Sequence, residues 1–140
     1  MDGPSKTAEQ PGVVERPIRV VYLVRYLPST SETFILDEAK ALARAGAEVM
    51  VYALDRDDEA VRHARHADVY ENAELVPRAS SPKSVWSYAL LSESPSFAGV
   101  RASWSGRGRS RDLRRVAWLA RSWRKRGVDV VRVHHAAETA

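Results

Sequence analysis

The stretch IRVVYLVRYLPSTSETFILDEAKALARAGAEVMVYAL, residues 18–54, contains the change of pattern that decides the fold. Residues 18–24 are nearly all apolar and rich in β-branched side chains, as is typical of a strand covered on both faces. Residues 48–54 have the same character. Between them, apolar residues recur at helical spacing, with charged residues interleaved. The stretch therefore predicts a strand, a helix and a second strand, the unit that joins parallel neighbours in a sheet.

Both ends of this predicted helix carry recognisable signals. Ser29 and Glu32 have the spacing of a capping box, and Pro28 precedes them. Gly46 stands where a left-handed residue commonly ends a helix. We therefore expect the helix to begin near Glu32 and to end just before Gly46.

The remaining pattern extends the same architecture. A charged, alanine-containing stretch at 55–66 predicts a short helix, and residues 73–76 predict a brief third strand. Two further helices are predicted at 81–90 and 111–126, followed by a strand at 128–134. This order predicts an α/β protein with a Rossmann-like, doubly wound parallel sheet whose strands lie in the order 3-2-1-4.

The predicted organisation is one partial domain with two irregular segments. Residues 1–16 are expected to form a flexible N-terminal tail, and residues 92–110 a flexible basic loop within a domain spanning 17–140. A sheet of this kind normally continues beyond its fourth strand, so the domain is expected to be incomplete. The chain has no cysteine, no apolar run of membrane-spanning length and no signal-peptide pattern, which predicts a cytoplasmic location.

Positive charge is concentrated near the C-terminus. Residues 101–132 contain 11 Lys and Arg but only two acidic residues, within a chain of net charge +4. Residues 111–126 are either an ordinary amphipathic helix with a solvated basic face or a contact for an anionic membrane, with Trp104, Trp118 and Trp123 near the headgroups. In the second case the protein lies peripherally on the inner face of the membrane. Nucleic-acid binding is unlikely because no recognised motif accompanies the charge.

Candidate site residues follow the first and last strands. Ser31, Glu32 and Thr33 occupy the turn after the first strand, at the sheet edge where α/β proteins bind ligands, although Glu32 could equally serve only as a helix cap. His134 ends the last strand and can both donate and accept hydrogen bonds.

Two other features argue against common cofactor and metal sites. His63 and His66 have no third ligand nearby in the sequence and are interpreted as surface residues, not as a zinc site. The chain also has neither a Gly-x-Gly-x-x-Gly nor a P-loop pattern.

Residues 22–54 resemble the amino-terminal region of family 4 glycosyltransferases of the GT-B fold, in particular the exopolysaccharide and colanic-acid type. The resemblance rests on the Ser-Glu-Thr-Phe sequence at 31–34, preceded by Pro28 and followed by Gly46 and a valine-rich strand. Residues 127–134 are similar to the next landmark of that family, with His134 on a family histidine and Arg132 in the place of another.

This resemblance implies the acceptor-side portion of a retaining glycosyltransferase in polysaccharide or glycolipid synthesis. It assigns acceptor binding to Ser31, Glu32, Thr33 and His134, with no catalytic residue and no metal ligand in this chain. The nucleotide-sugar donor of such an enzyme binds mainly to a second domain, so no cofactor is expected here and this chain alone is expected to be inactive. The expected partner is a sugar or lipid-linked acceptor. The alternative is a small non-catalytic α/β binding module whose basic helix contacts membrane or nucleic acid.

Overall fold

Four parallel strands form one sheet in the order β3-β2-β1-β4. This arrangement is seen in a computed structural model that describes residues 16–28, 33–57, 64–92, 94–95, 98 and 109–133. The strands are β1 (Arg19–Leu27), β2 (Glu48–Arg56), β3 (Glu74–Leu75) and β4 (Val130–Val133). The helices are α1 (Thr33–Arg44), α2 (Ala67–Asn72), α3 (Pro82–Leu91) and α4 (Arg109–Arg126), and a 3-10 turn at Ala64–His66 precedes α2. The predicted α/β class, the Rossmann-like parallel sheet and the strand order are confirmed.

β1 lies at the centre of the sheet because its sequence is apolar on both faces. It pairs with β2 from Arg19 opposite Glu48 to Leu27 opposite Arg56, and with β4 on its other side. Successive side chains of a strand point to opposite faces. A strand such as β1 therefore needs helices on both sides of the sheet.

One face is covered by α1 and α2. The buried residues there come from β1, β2 and α1, with Leu36 of α1 fully buried. The shared core consists of Val20, Tyr22, Val24, Leu27, Ile35, Leu36, Ala39, Val51 and Ala53. α2 adds Val69 and Tyr70 at its margin.

The opposite face is covered by α4, with α3 packed behind it. Tyr52 of β2 is fully buried there, and its ring makes edge contacts with Trp118 and Trp123 of α4. Leu113 and Ala117 on α4 pack against residues of α3. With helices on both faces, the sheet is doubly wound.

This packing corrects the expectation for two tryptophans. Trp118 and Trp123 were considered as headgroup contacts, but both lie against the core on the sheet side of α4. Burial against Tyr52 is favoured because an aromatic pair gains free energy from both apolar area and edge-to-face geometry. Trp104 lies outside the described residues.

The predicted helix end at Gly46 is confirmed. Gly46 has a φ of 99°, which is the left-handed region that a residue with a Cβ avoids. The proposed cap residues Ser29 and Glu32 lie outside the described residues, and α1 is described from Thr33.

The helix predicted at 55–66 was misplaced. Asp55 and Arg56 continue β2, paired with the end of β1, and helical structure is described only from Ala64 onward. Charged side chains are compatible with a strand at this point because both are exposed at the end of the sheet. The intervening residues 58–63, including His63, lie outside the described part.

His66 is not a surface residue as predicted. It is 0% exposed, and its Nε2 lies 2.7 Å from Oδ1 of Asp37 on α1. A polar ring can be buried here because a carboxylate supplies a hydrogen-bond partner.

Most other boundaries shift by only a few residues. α3 ends at Leu91, α4 is described from Arg109, and β4 begins at Val130. Most of the predicted tail and of the predicted basic loop lies outside the described residues. Arg16, assigned to the tail, donates two hydrogen bonds of 2.7 and 3.0 Å to the carboxylate of Asp129.

Candidate ligand-binding site

A cavity of about 320 Å³ lies at the carboxyl ends of β1, β2 and β3, on the face covered by α1 and α2. Ligands bind at this edge of open α/β sheets because the loops that follow the strands gather there. The lining comes from the strand ends, the 3-10 turn and α2: Leu27, Pro28, Ala53, Arg56, Ala64, Ala67, Tyr70, Glu71, Ala73, Glu74 and Leu75. The peptide bond between Leu27 and Pro28 is cis.

Tyr70 of α2 lines this cavity, and its hydroxyl is buried. Its oxygen is inaccessible to solvent and makes no hydrogen bond to any residue that the structure describes. The ring itself is held in place by an edge contact with His66, at 6.2 Å between ring centroids. Burying a hydroxyl without a partner costs about 1–3 kcal/mol, so such groups are usually satisfied by a ligand or water.

Arg56 and Glu71 place opposite charges around the same cavity. Both are exposed, and neither forms an ion pair with another residue in the described ranges. Glu74, in contrast, is engaged by the guanidinium of Arg126, and its carboxylate is the main cause of the raised pKa of Arg126. The cavity thus offers a guanidinium donor and a carboxylate acceptor beside apolar side chains.

The wall formed by α2 is held to α1 by a polar cluster. Asp37 accepts from Arg65 Nη2 at 3.1 Å in addition to its contact with His66. Lys40 of α1 lies 3.2 Å from a carboxylate oxygen of Asp68. The hydrogen bond with His66 lowers the pKa of Asp37, and the hydrogen bond with Lys40 lowers that of Asp68. These contacts fix α2, and with it Tyr70, relative to the sheet.

The residues predicted for acceptor binding are only partly described. Ser31, Glu32 and His134 lie outside the described residues. Thr33 is half-buried at the first position of α1, at the carboxyl end of β1, and does not line the cavity. β4 is described as far as Val133, which pairs with Leu23 in the middle of β1. The acceptor-binding role expected for Glu32 and His134 therefore stays a prediction.

A second polar cluster joins α1 to β4 on the same face. The hydroxyl of Tyr22 donates to Oε1 of Glu38 at 3.1 Å, and Arg132 forms an ion pair with the same oxygen. The Arg132 guanidinium also lies over the ring of Tyr22, 6.0 Å from its centroid. Burial, followed by the contact with Glu38, raises the pKa of Tyr22 to about 12. Arg132 thus has a structural role in linking β4 to α1.

The sequence analysis missed Arg56, Tyr70 and Glu71. Arg56 carried a usable signal because it stands two residues after the strand predicted at 48–54, and ligand-binding residues often follow the ends of parallel strands. Tyr70 and Glu71 were hidden by the misplaced helix, since their positions beside the cavity depend on where α2 begins and packs.

Among the residues that the structure describes, no three metal-binding side chains cluster, and no helix has both the length and the apolarity needed to cross a bilayer. Compared with models of known protein families, with curated proteins and with solved structures, the chain matches none.

Proposed function

We propose that this chain is the acceptor-binding portion of a retaining glycosyltransferase, and that the cavity lined by Arg56, Tyr70 and Glu71 binds the sugar of the acceptor. The observation that carries the proposal is the cavity at the carboxyl edge of the sheet, whose lining includes the exposed charged side chains of Arg56 and Glu71, neither with an ion-pair partner in the described part of the chain. The reaction class comes from the sequence resemblance at residues 31–34.

The chemistry of the cavity suits a sugar ring. A pyranose presents hydroxyl groups around its rim and apolar C–H groups on its faces. Arg56 and Glu71 supply a donor and an acceptor for hydroxyls, and Leu27, Ala53 and Leu75 supply apolar surface. The volume of about 320 Å³ is at the lower end of the ~300–1,000 Å³ range for small-molecule sites, which favours one or two sugar units over a longer chain.

The site residues predicted from the resemblance are additional to those that line the cavity. Ser31, Glu32, Thr33 and His134 belong to segments that follow β1 and β4, whereas the cavity lies between β1 and β3. In the proposed enzyme, the acceptor sugar occupies the cavity and its reacting end extends toward the turn before α1. The cavity does not form the binding site of the nucleotide-sugar donor. That site belongs to another part of the proposed enzyme.

The alternative, a non-catalytic α/β binding module, is favoured by a different observation. Basic residues collect on α4 and next to α3, on the face of the sheet opposite the cavity. A module that acts through this surface alone would leave the cavity without a ligand. Sugar binding in the cavity therefore discriminates between the two functions.

We expect Arg56→Ala to weaken the binding of a methyl glycoside by at least ~10-fold, equivalent to about 1.4 kcal/mol, because the cavity loses its guanidinium donor. Tyr70→Phe should leave the free energy of unfolding unchanged or slightly higher, because the hydroxyl has no partner among the described residues. Affinities are measured by NMR titration with the methyl glycosides of glucose, galactose and mannose.

Two control variants make the same chemical changes at positions outside the cavity. Arg78→Ala and Tyr26→Phe alter exposed residues that do not line the cavity, and both should bind like the unmodified protein. The proposal is wrong if none of the three glycosides binds at millimolar concentration, or if Arg56→Ala binds them as well as the two control variants do.

A further inference from the structure

A groove of about 460 Å³ runs between α3 and the C-terminal half of α4. We call it the α3–α4 groove. Its lining residues are Ser87, Trp118, Arg121, Ser122, Lys125 and Arg126. Three of these side chains are cationic, two carry hydroxyls and none is acidic. A groove with this lining attracts anionic groups that accept hydrogen bonds, such as phosphates.

The three cationic side chains differ in the contacts that they make with other groups of the protein. Arg126 pairs with Glu74 and lies over the ring of Tyr52. Among the described residues, Arg121 donates only to the hydroxyl of Ser87, at 3.3 Å, and Lys125 is exposed with no ion pair. Two positive charges in the groove therefore stay without a carboxylate partner in the described part of the chain.

An apolar stripe on α3 borders this groove. Trp86 is 65% exposed and Leu90 54% exposed, and Val85 is exposed beside them. Trp86 and Leu90 are four residues apart, so they lie on the same side of the helix, and Leu90 follows the groove residue Ser87 by three positions. A tryptophan this exposed is unfavourable in water and is typical of a surface that is covered by a partner.

We propose that the α3–α4 groove and the Trp86–Leu90 stripe together form a docking surface for an anionic membrane. Phosphate headgroups bind Arg121 and Lys125 in the groove, and Trp86 and Leu90 enter the interfacial layer beside them. A tryptophan next to cations is the combination that interfacial helices use.

This proposal is independent of the sugar-binding cavity, which lies on the opposite face of the sheet. It also differs from the expectation drawn from the sequence. The tryptophans of α4 are packed against Tyr52, so the inserting residues come from α3, and α4 contributes the cations of the groove.

We expect the protein to co-sediment with vesicles of equal parts phosphatidylcholine and phosphatidylglycerol, and much less with vesicles of phosphatidylcholine alone. Binding should weaken as salt is raised, because the headgroup contacts are screened. The double variant Arg121→Ala/Lys125→Ala and the single variant Trp86→Ser should each lower the affinity for the mixed vesicles by at least about tenfold. The fraction of protein that sediments without vesicles is subtracted from each measured bound fraction.

The matched control is Arg44→Ala/Arg111→Ala, which removes the same charge from exposed positions outside the groove and should bind mixed vesicles like the unmodified protein. Equal binding to both vesicle types, or an equal loss in the control, overturns the proposal. If only the Arg121/Lys125 variant loses affinity, while Trp86→Ser does not and inorganic phosphate competes with the vesicles, the groove binds a soluble anion and the membrane assignment is wrong.

Discussion

Replacing Tyr52 with alanine should lower the free energy of unfolding by about 3–5 kcal/mol. Tyr52 is 0% exposed, and its ring contacts Trp118 and Trp123 at centroid distances of 6.1 and 5.9 Å. Its removal leaves a cavity between β2 and α4, and the surrounding side chains can fill that cavity only in part. Urea denaturation followed by far-UV circular dichroism measures the loss.

A milder substitution separates ring packing from the hydroxyl. Tyr52→Phe removes the hydroxyl, which lies 3.3 Å from Ser122 Oγ, and should cost about 1 kcal/mol. If Tyr52→Ala is too unstable to purify, Tyr52→Leu should show an intermediate loss. A loss below about 1 kcal/mol in the alanine variant would mean that α4 does not cover this face of the sheet as described.

Raising the pH from about 10 to 12 should remove up to about 2–3 kcal/mol of stability through Tyr22 alone. Burial and the contact with Glu38 raise the pKa of Tyr22 in the folded protein to about 12, against its ordinary value of 10.0. The folded state therefore keeps a proton that the unfolded state releases in this range. The contribution is fully present below pH 10 and is lost as the pH rises toward 12.

Unfolding free energies of the unmodified protein and of Tyr22→Phe, measured across this pH range, test the effect. Tyr52, whose pKa is also raised by burial, contributes to both curves and cancels in their difference. Tyr22→Phe should be less stable at neutral pH, because Glu38 loses its buried donor, but its stability should fall less steeply above pH 10. Parallel curves would show that Tyr22 does not occupy this environment.

The central part of the fold follows from local patterns in the sequence. The β1–α1–β2 unit was predictable because its two strands are apolar on both faces, its helix has a clear period, and Gly46 marks the helix end. The strand order was predictable because helices connect consecutive parallel strands with a fixed hand. These properties depend on residues that are close in sequence.

The errors arose where the decisive contact is distant in sequence. His66 is buried because Asp37, on another helix, accepts its hydrogen bond, and no pattern near His66 indicates that partner. α2 has only six residues, too few to show a helical period. Trp118 and Trp123 lie in a basic helix, and only the position of Tyr52 decides that they face the sheet.

The position of the candidate site was predictable, but the residues that line it were not. The carboxyl edge of the sheet was expected to carry it, and the cavity lies at that edge. Its lining residues come from three strands and from α2, so their proximity is a consequence of the complete fold. The buried state of the Tyr70 hydroxyl depends on the packing of α2 against α1 and the sheet, which the sequence does not reveal.

The most direct test of the proposed function is to map where a sugar binds on the protein. Backbone amide shifts are recorded by NMR during titration with the methyl glycosides of glucose, galactose and mannose. We predict that at least one glycoside shifts the amides of Arg56, Tyr70, Glu71 and Leu75 along a common saturation curve, while those of Arg121 and Lys125 stay unchanged. The account is contradicted if no glycoside shifts these four amides, or if the shifts cluster in the α3–α4 groove instead.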